Sequence, residues 1–288
     1  MSIRNKTKGV KMKKVALAVA VVLGLVVVQP VQAAPTDTIA IIDSAIDSSK
    51  NKNVVYEVCI TRNSCANKTN FQEGPGSAAV ADWKIKGVDH GYNVAQAAVL
   101  TNPNIKIVFI RISDINVYST FSAMHNDGTS LSRAIEWVSN NASRLNIKSV
   151  SVSQSRSNFT AGSCPSDAVF ERSVQSLNAQ GVATFAATGN EGKKNMIGFP
   201  SCVPGVISVG ALRPNLELAP YSNVSPELDL VARGDINVID HFGVKRTLTG
   251  TSIAAPVAAT LATTKKVSGS WAELIASLPK AQGYANIA

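Results

Sequence analysis

The chain has 288 residues, 45% of them hydrophobic and 16% charged, with 28 Lys and Arg against 19 Asp and Glu for a net charge of +9. Six of the basic residues and none of the acidic ones fall within the first 14, which leaves 22 against 19, a balance of +3, for everything after them. That residual charge forms no basic run and excludes a nucleic-acid partner, while the length suffices to bury a full core.

The basic stretch holds Arg4, Lys6, Lys8, Lys11, Lys13 and Lys14. Fourteen residues follow, 15–28, apolar apart from one glycine, and then Gln29-Pro30 and Val31-Gln32-Ala33. This order is that of a secretory signal peptide. The apolar run is shorter than the ~20 residues that span a bilayer. Residues 1–33 are therefore expected to be cleaved near Ala34 or Pro35, leaving a secreted or periplasmic protein with no membrane span.

Beyond residue 34, short apolar runs alternate with amphipathic stretches, the pattern of βαβ units. Strands are expected at 38–42, 54–58, 106–112, 148–153, 182–187 and 206–210. Helices are expected at 90–100, 130–143, 167–180, 252–263 and 271–278. Leu131, Ala134, Ile135 and Val138 share one helical face. The least regular stretch runs from residue 54 to 87, with Gly74-Pro75-Gly76 marking a turn. Neither linker nor repeat interrupts the pattern, so residues 34–288 read as one domain: an α/β fold with a doubly wound, mostly parallel sheet flanked by helices. Cys59, Cys65, Cys164 and Cys202 allow three disulfide connectivities in an oxidising compartment. Proximity favours Cys59–Cys65, which leaves Cys164–Cys202; no second thiol or histidine stands at metal-ligand spacing.

Four short segments carry chemistry. Asp43 closes the first strand, and His90 and Ser252 each open a helix, ends that gather on one edge of a parallel sheet. A serine hydroxyl attacks only when an imidazole takes its proton, and a buried carboxylate fixes that imidazole's tautomer. The stretch Gly250-Thr251-Ser252-Ile253-Ala254-Ala255-Pro256 sets a serine at a helix mouth, with alanines for close packing and a proline expected in the first turn. Asn190, in Thr188-Gly189-Asn190-Glu191-Gly192, can donate to an oxyanion. Taken singly, each has an ordinary alternative: a turn aspartate, an unpartnered helical histidine, a serine cap, an Asn-Glu-Gly turn. The other histidines, His125 and His241, lie in polar, loop-like surroundings.

Together the four segments resemble the subtilisin-like serine proteases (subtilases). The serine motif Gly-Thr-Ser-Xaa-Ala-(Ala/Ser)-Pro is matched by residues 250–256. The histidine motif His-Gly-Thr-His-Val-Ala appears as His90-Gly91-Tyr92-Asn93-Val94-Ala95, and the likeness runs from about residue 38 to 265. It implies a serine endopeptidase in which Asp43, His90 and Ser252 are orienter, general base and nucleophile, with Asn190 in the oxyanion hole. Its protein or peptide substrates would lie along Ser153-Gln154-Ser155 as an added strand, with Ala187, Thr188 and Gly189 forming the far wall of the primary pocket. Alternatives on this scaffold are a catalytically silent peptide-binding relative and a transpeptidase or peptide cyclase.

Departures from the pattern sharpen the expectations. Ala45 replaces a glycine, Asn93 a non-catalytic histidine and Ile253 an oxidation-prone methionine. Gln154 and Ser155 stand where the family has Leu-Gly, which predicts a narrower or more polar pocket. No cofactor is needed for the chemistry. Structural calcium stays open, because the family's strongest-binding loop is missing after Leu100. Only about ten residues separate the cleavage site from Asp43, too few for the family's usual propeptide, so a separate inhibitor or chaperone protein is a possible partner.

Overall fold

The computed structural model describes residues 37–114, 128–155, 164, 167–265 and 270–287. The signal segment, its cleavage site and His125 lie outside these residues. Contacts divide the chain between Ala33 and Ala34, and the architecture below is that of the second unit.

Every expected strand and helix is present: β1 (Thr38–Asp43), β2 (Val54–Ile60), β4 (Lys106–Arg111), β5 (Ile147–Val152), β6 (Ala183–Ala187) and β7 (Val206–Leu212), with α1 (His90–Thr101), α2 (Gly128–Asn141), α3 (Ala168–Ala179), α4 (Thr251–Lys265) and α5 (Trp271–Ser277). Six further strands are β3 (Phe71–Glu73), β8 (Leu230–Arg233), β9 (Asp235–Ile239), β10 (Lys245–Thr249), β11 (Lys280–Ala281) and β12 (Tyr284–Asn286). The main sheet runs β11-β12-β8-β7-β6-β5-β1-β4-β2-β3, parallel except for β3 and β11 at its two edges. β9 and β10 form a separate antiparallel hairpin.

Successive residues of β1 serve opposite faces, as a strand's period of two requires. Ile39 and Ile41 pack with α1, whereas Ala40 and Ile42 join the core shared with α2 and α3. α4 lies across β5, β6, β7 and β8 and also touches α1. It is buried on nearly every side, so its small residues set the depth at which its N-terminus meets the sheet. β4 and β2 lie on one side of β1, and β5, β6 and β7 follow in order on the other. The switch point therefore lies at the carboxyl ends of β1 and β5, where such sheets form sites.

The irregular stretch is a β2–β3 hairpin closed by the Cys59–Cys65 disulfide. Buried Glu57 clamps its return, accepting from Gly76 N at 3.0 Å and Ala78 N at 3.2 Å. The second disulfide joins Cys164 and Cys202 across 38 positions. Among the described residues no helix is long and apolar enough to cross a membrane.

Candidate active site

Asp43 ends β1 with no solvent exposure. Its Oδ1 accepts from Ser44 N at 2.6 Å and lies 2.7 Å from Nδ1 of His90, the first residue of α1. The Ser44 hydroxyl donates to Val88 O at 2.9 Å and accepts from Gly91 N at 2.8 Å, stitching the strand end to the helix start. A Cβ at Gly91 would fall 2.6 Å from both Ala45 O and the Phe109 ring, so only glycine lets the helix approach this closely. Ala45 is fully buried here and leaves the carboxylate–imidazole contact short.

Burial opposes charge on Asp43, yet the adjacent imidazole, its hydrogen bond, Ser44 N–H and the Gln154 amide hold the carboxyl below its usual range. Burial equally opposes protonation of His90. The charge of Asp43, the hydrogen bond to it and the charge of Asp89 prevail, raising His90 above an ordinary histidine.

Ser252 is the second residue of α4. Gly250 before it has φ +151°, and a Cβ there would sit 3.0 Å from Ser252 Oγ, 3.5 Å from Asn190 Nδ2 and 3.6 Å from Ser252 N. A hydroxyl and two N–H donors thus converge on one small space that a side chain at 250 would fill. Asn190 is oriented by its other end, where Oδ1 accepts from Thr251 N at 2.8 Å and Thr251 Oγ1 at 3.0 Å. Hydrogen-bond donors so aimed can stabilise an oxyanion formed by attack from the hydroxyl.

Pro256 departs from the expected first turn. With Thr251 opening the helix, the proline is the sixth helical residue, and its missing N–H is the one that would have bonded Ser252 O. Ser153 Oγ donates to that carbonyl instead, at 2.8 Å. The side chain of Ser153, a residue expected along the substrate path, braces the Ser252 backbone.

The two expected walls face each other. Residues 153–155 leave β5 and residues 187–189 end β6, neighbouring parallel strands paired at Val152 and Ala186. Ser155 Oγ lies 3.3 Å from where a Cβ at Gly189 would be. Ala187 and Thr188 are buried, and Thr188 Oγ1 donates to Asn223 O at 2.9 Å. Gln154 is also buried and turns toward Asp43. Sequence reasoning missed Glu191 and Asn223. The Asn223 amide donates to Glu191 Oε2 at 2.7 Å, and that oxygen lies 2.8 Å from the same Gly189 position, giving the wall an acidic group. Glu191 was legible only as part of its motif; Asn223, 32 residues away, had no local signal.

His241 lies in the turn between β9 and β10, with Asp47 and Lys50 as polar neighbours. It is buried 3.1 Å from Asp47 and stacked on Trp83 at 4.1 Å between ring centroids. Among the described residues no group of three His, Cys, Asp or Glu side chains is placed to hold a metal. Four residues, 102–105, connect α1 to β4.

Comparison with known proteins identifies the family. The model of the subtilase family (Peptidase_S8) matches residues 36–276. Subtilisin BL from Lederbergia lenta is 29% identical over 207 residues, covering 69% of this chain and 70% of the relative. Subtilisin Savinase from the same organism is 28% identical over 205 residues, with coverage of 69% and 70%. Among solved structures, the nisin leader peptidase NisP from Lactococcus lactis superposes with a TM-score of 0.64 over 88% of this chain and 85% of that one; at 15% identity the likeness is one of fold. The chain belongs to the subtilase family and is a serine-type endopeptidase.

Proposed function

We propose that the protein is an exported endopeptidase that cleaves through an acyl-enzyme on Ser252. The convergence of Ser252 Oγ, Ser252 N and Asn190 Nδ2 around Gly250, with His90 held on Asp43, is the observation that carries this reading. His90 takes the Ser252 proton as Oγ attacks the scissile carbonyl, and Asp43 keeps Nδ1–H pointed inward and stabilises the imidazolium. Asn190 and the Ser252 N–H receive the oxyanion. The imidazolium then protonates the leaving amine, and a water activated by the same histidine releases the acyl group. The peptide lies extended between residues 153–155 and 187–189. No cofactor takes part. Residues 1–33 act as the signal peptide and 34–288 as the peptidase domain.

The test is reaction of the purified mature protein with a fluorophosphonate probe beside Ser252→Ala. The wild type is expected to label and to cleave an extended peptide, and the variant to do neither. An unlabelled wild type overturns the mechanism, and a labelled protein that joins peptides without cleaving them marks a transpeptidase. Protein recovered outside the cell with an N-terminus near Ala34 supports export; an intact Met1 there overturns the signal assignment.

A further inference from the structure

Two complementary buried groups meet beside the candidate triad without completing a bond. Asp43 is inaccessible to solvent and Gln154 only 9% exposed. Asp43 Oδ1 is fully used by Ser44 N and His90 Nδ1. Asp43 Oδ2 has no partner within hydrogen-bonding geometry, and neither does Gln154 Nε2. β1 and β5 pair in parallel through Ile42 and Val152, so Asp43 and the run 153–155 leave the sheet side by side. Gln154 is near enough to help hold the Asp43 carboxyl below its usual range, although no hydrogen bond of full geometry joins the two. A buried acceptor left unpaired is costly, and most so when it carries charge.

We propose that Gln154 is a positioning residue for the reaction, its amide donating to the Asp43 oxygen that His90 does not use. The proposal rests on the triad reading above. As the imidazole becomes charged, Asp43 must hold one plane, with Oδ1 toward Nδ1; an anchor on Oδ2 resists rotation of the carboxylate. Hydrogen bonds of this kind are often long in a resting enzyme and tighten during the reaction. The same amide draws part of the carboxylate charge away from His90, which tempers the rise in its basicity. Gln154 was expected to shape the substrate cleft, as the residue standing in place of the family's leucine. A cleft residue and a positioning residue predict different kinetics.

The experiment compares wild type, Gln154→Leu and Gln154→Asn, whose shorter amide does not reach as far. Folded sites are counted with the fluorophosphonate probe, using a small p-nitrophenyl ester and an extended peptide as substrates. Both variants are expected to lose roughly three- to tenfold in kcat on both substrates, with the KM for the ester unchanged. The acid limb of their kcat/KM profiles moves to higher pH, because more of the Asp43 charge then faces His90. The downfield proton resonance of the His90–Asp43 hydrogen bond shifts with it. Wild-type ester kcat with an unmoved acid limb and a changed peptide KM overturns the proposal and makes Gln154 a cleft wall. A wild type that does not label overturns the triad itself, an outcome separate from the Gln154 result.

Discussion

At Asp43 and His90, burial and mutual charge act in opposite directions, and charge prevails on both. The catalytic base must be neutral, so a raised His90 pKa keeps the enzyme inactive to a higher pH than a free imidazole, at about 6.5, would. Stability follows the other side of the titration. The gain from a raised His90 is complete below its unfolded pKa and lost as pH rises through its folded one. The gain from Asp43 is complete above its unfolded value of about 3.9 and lost as pH falls through its lowered one. The pair therefore stabilises the fold most between roughly pH 4 and 6.5, below the range in which it is active. Asp43→Asn is expected to lower kcat about 10⁴-fold. It also moves the acid limb of kcat/KM downward, since burial of His90 remains while its counter-charge is gone; an upward move would contradict this account. The four chemical residues were legible because each sits in a motif. The inward turn of Gln154 and the Glu191–Asn223 contact were not, since both depend on neighbours from other strands.

For the elements, α4 is the informative case. Its apolar run was readable, but the position of Pro256 within it depended on where the helix begins. Because Thr251 opens the helix, the proline frees Ser252 O, and Ser153 from the end of β5 takes it up. Pro256→Ala restores an N–H to that carbonyl and competes with Ser153. The variant is expected to be more stable, since an interior proline costs about 3 kcal/mol, and to melt higher. It is also expected to lose up to about 10² in kcat as Ser252 shifts. A higher Tm with unchanged kcat would separate helix regularity from placement of the serine. Of the six strands that escaped sequence reading, four are exposed or very short: β10 (Lys245–Thr249) is largely exposed and polar, and β3, β11 and β12 have at most three residues each. Pairing partners, rather than their own apolar pattern, make them strands.

Across the whole molecule, the two disulfides act at different ranges. Cys59–Cys65 closes a local hairpin, whereas Cys164–Cys202 ties the connection before α3 to the one between β6 and β7. Both sulfurs of the longer bridge pack against the core beneath α2 and α3. In the chain-entropy model a loop of 38 positions contributes about 4 kcal/mol. Replacing both Cys164 and Cys202 by Ser is expected to lower Tm by roughly 10 °C for a domain of this size. Activity at room temperature is expected to survive, because the bridge packs against the core beneath α2 and α3. Calorimetry of wild type and variant checks the first point and active-site titration the second; an unchanged Tm would remove the bridge from the stability of the fold.

The sequence by itself determined the class of fold, the order of the main strands and helices, and the choice of Asp43, His90, Asn190 and Ser252 as candidate site residues. Apolar periodicity and short motifs are local properties, and local spacing is enough to express them. Tertiary structure alone decided what those residues touch. It set the single oxygen of Asp43 used by His90, the brace from Ser153 to the carbonyl freed by Pro256, the acidic group beside Gly189 and the burial of Gln154. Apart from Glu191 beside Gly189, these join segments tens of residues apart, through the register of β1, β5 and β6. Register is a property of paired strands, which no single stretch of chain contains.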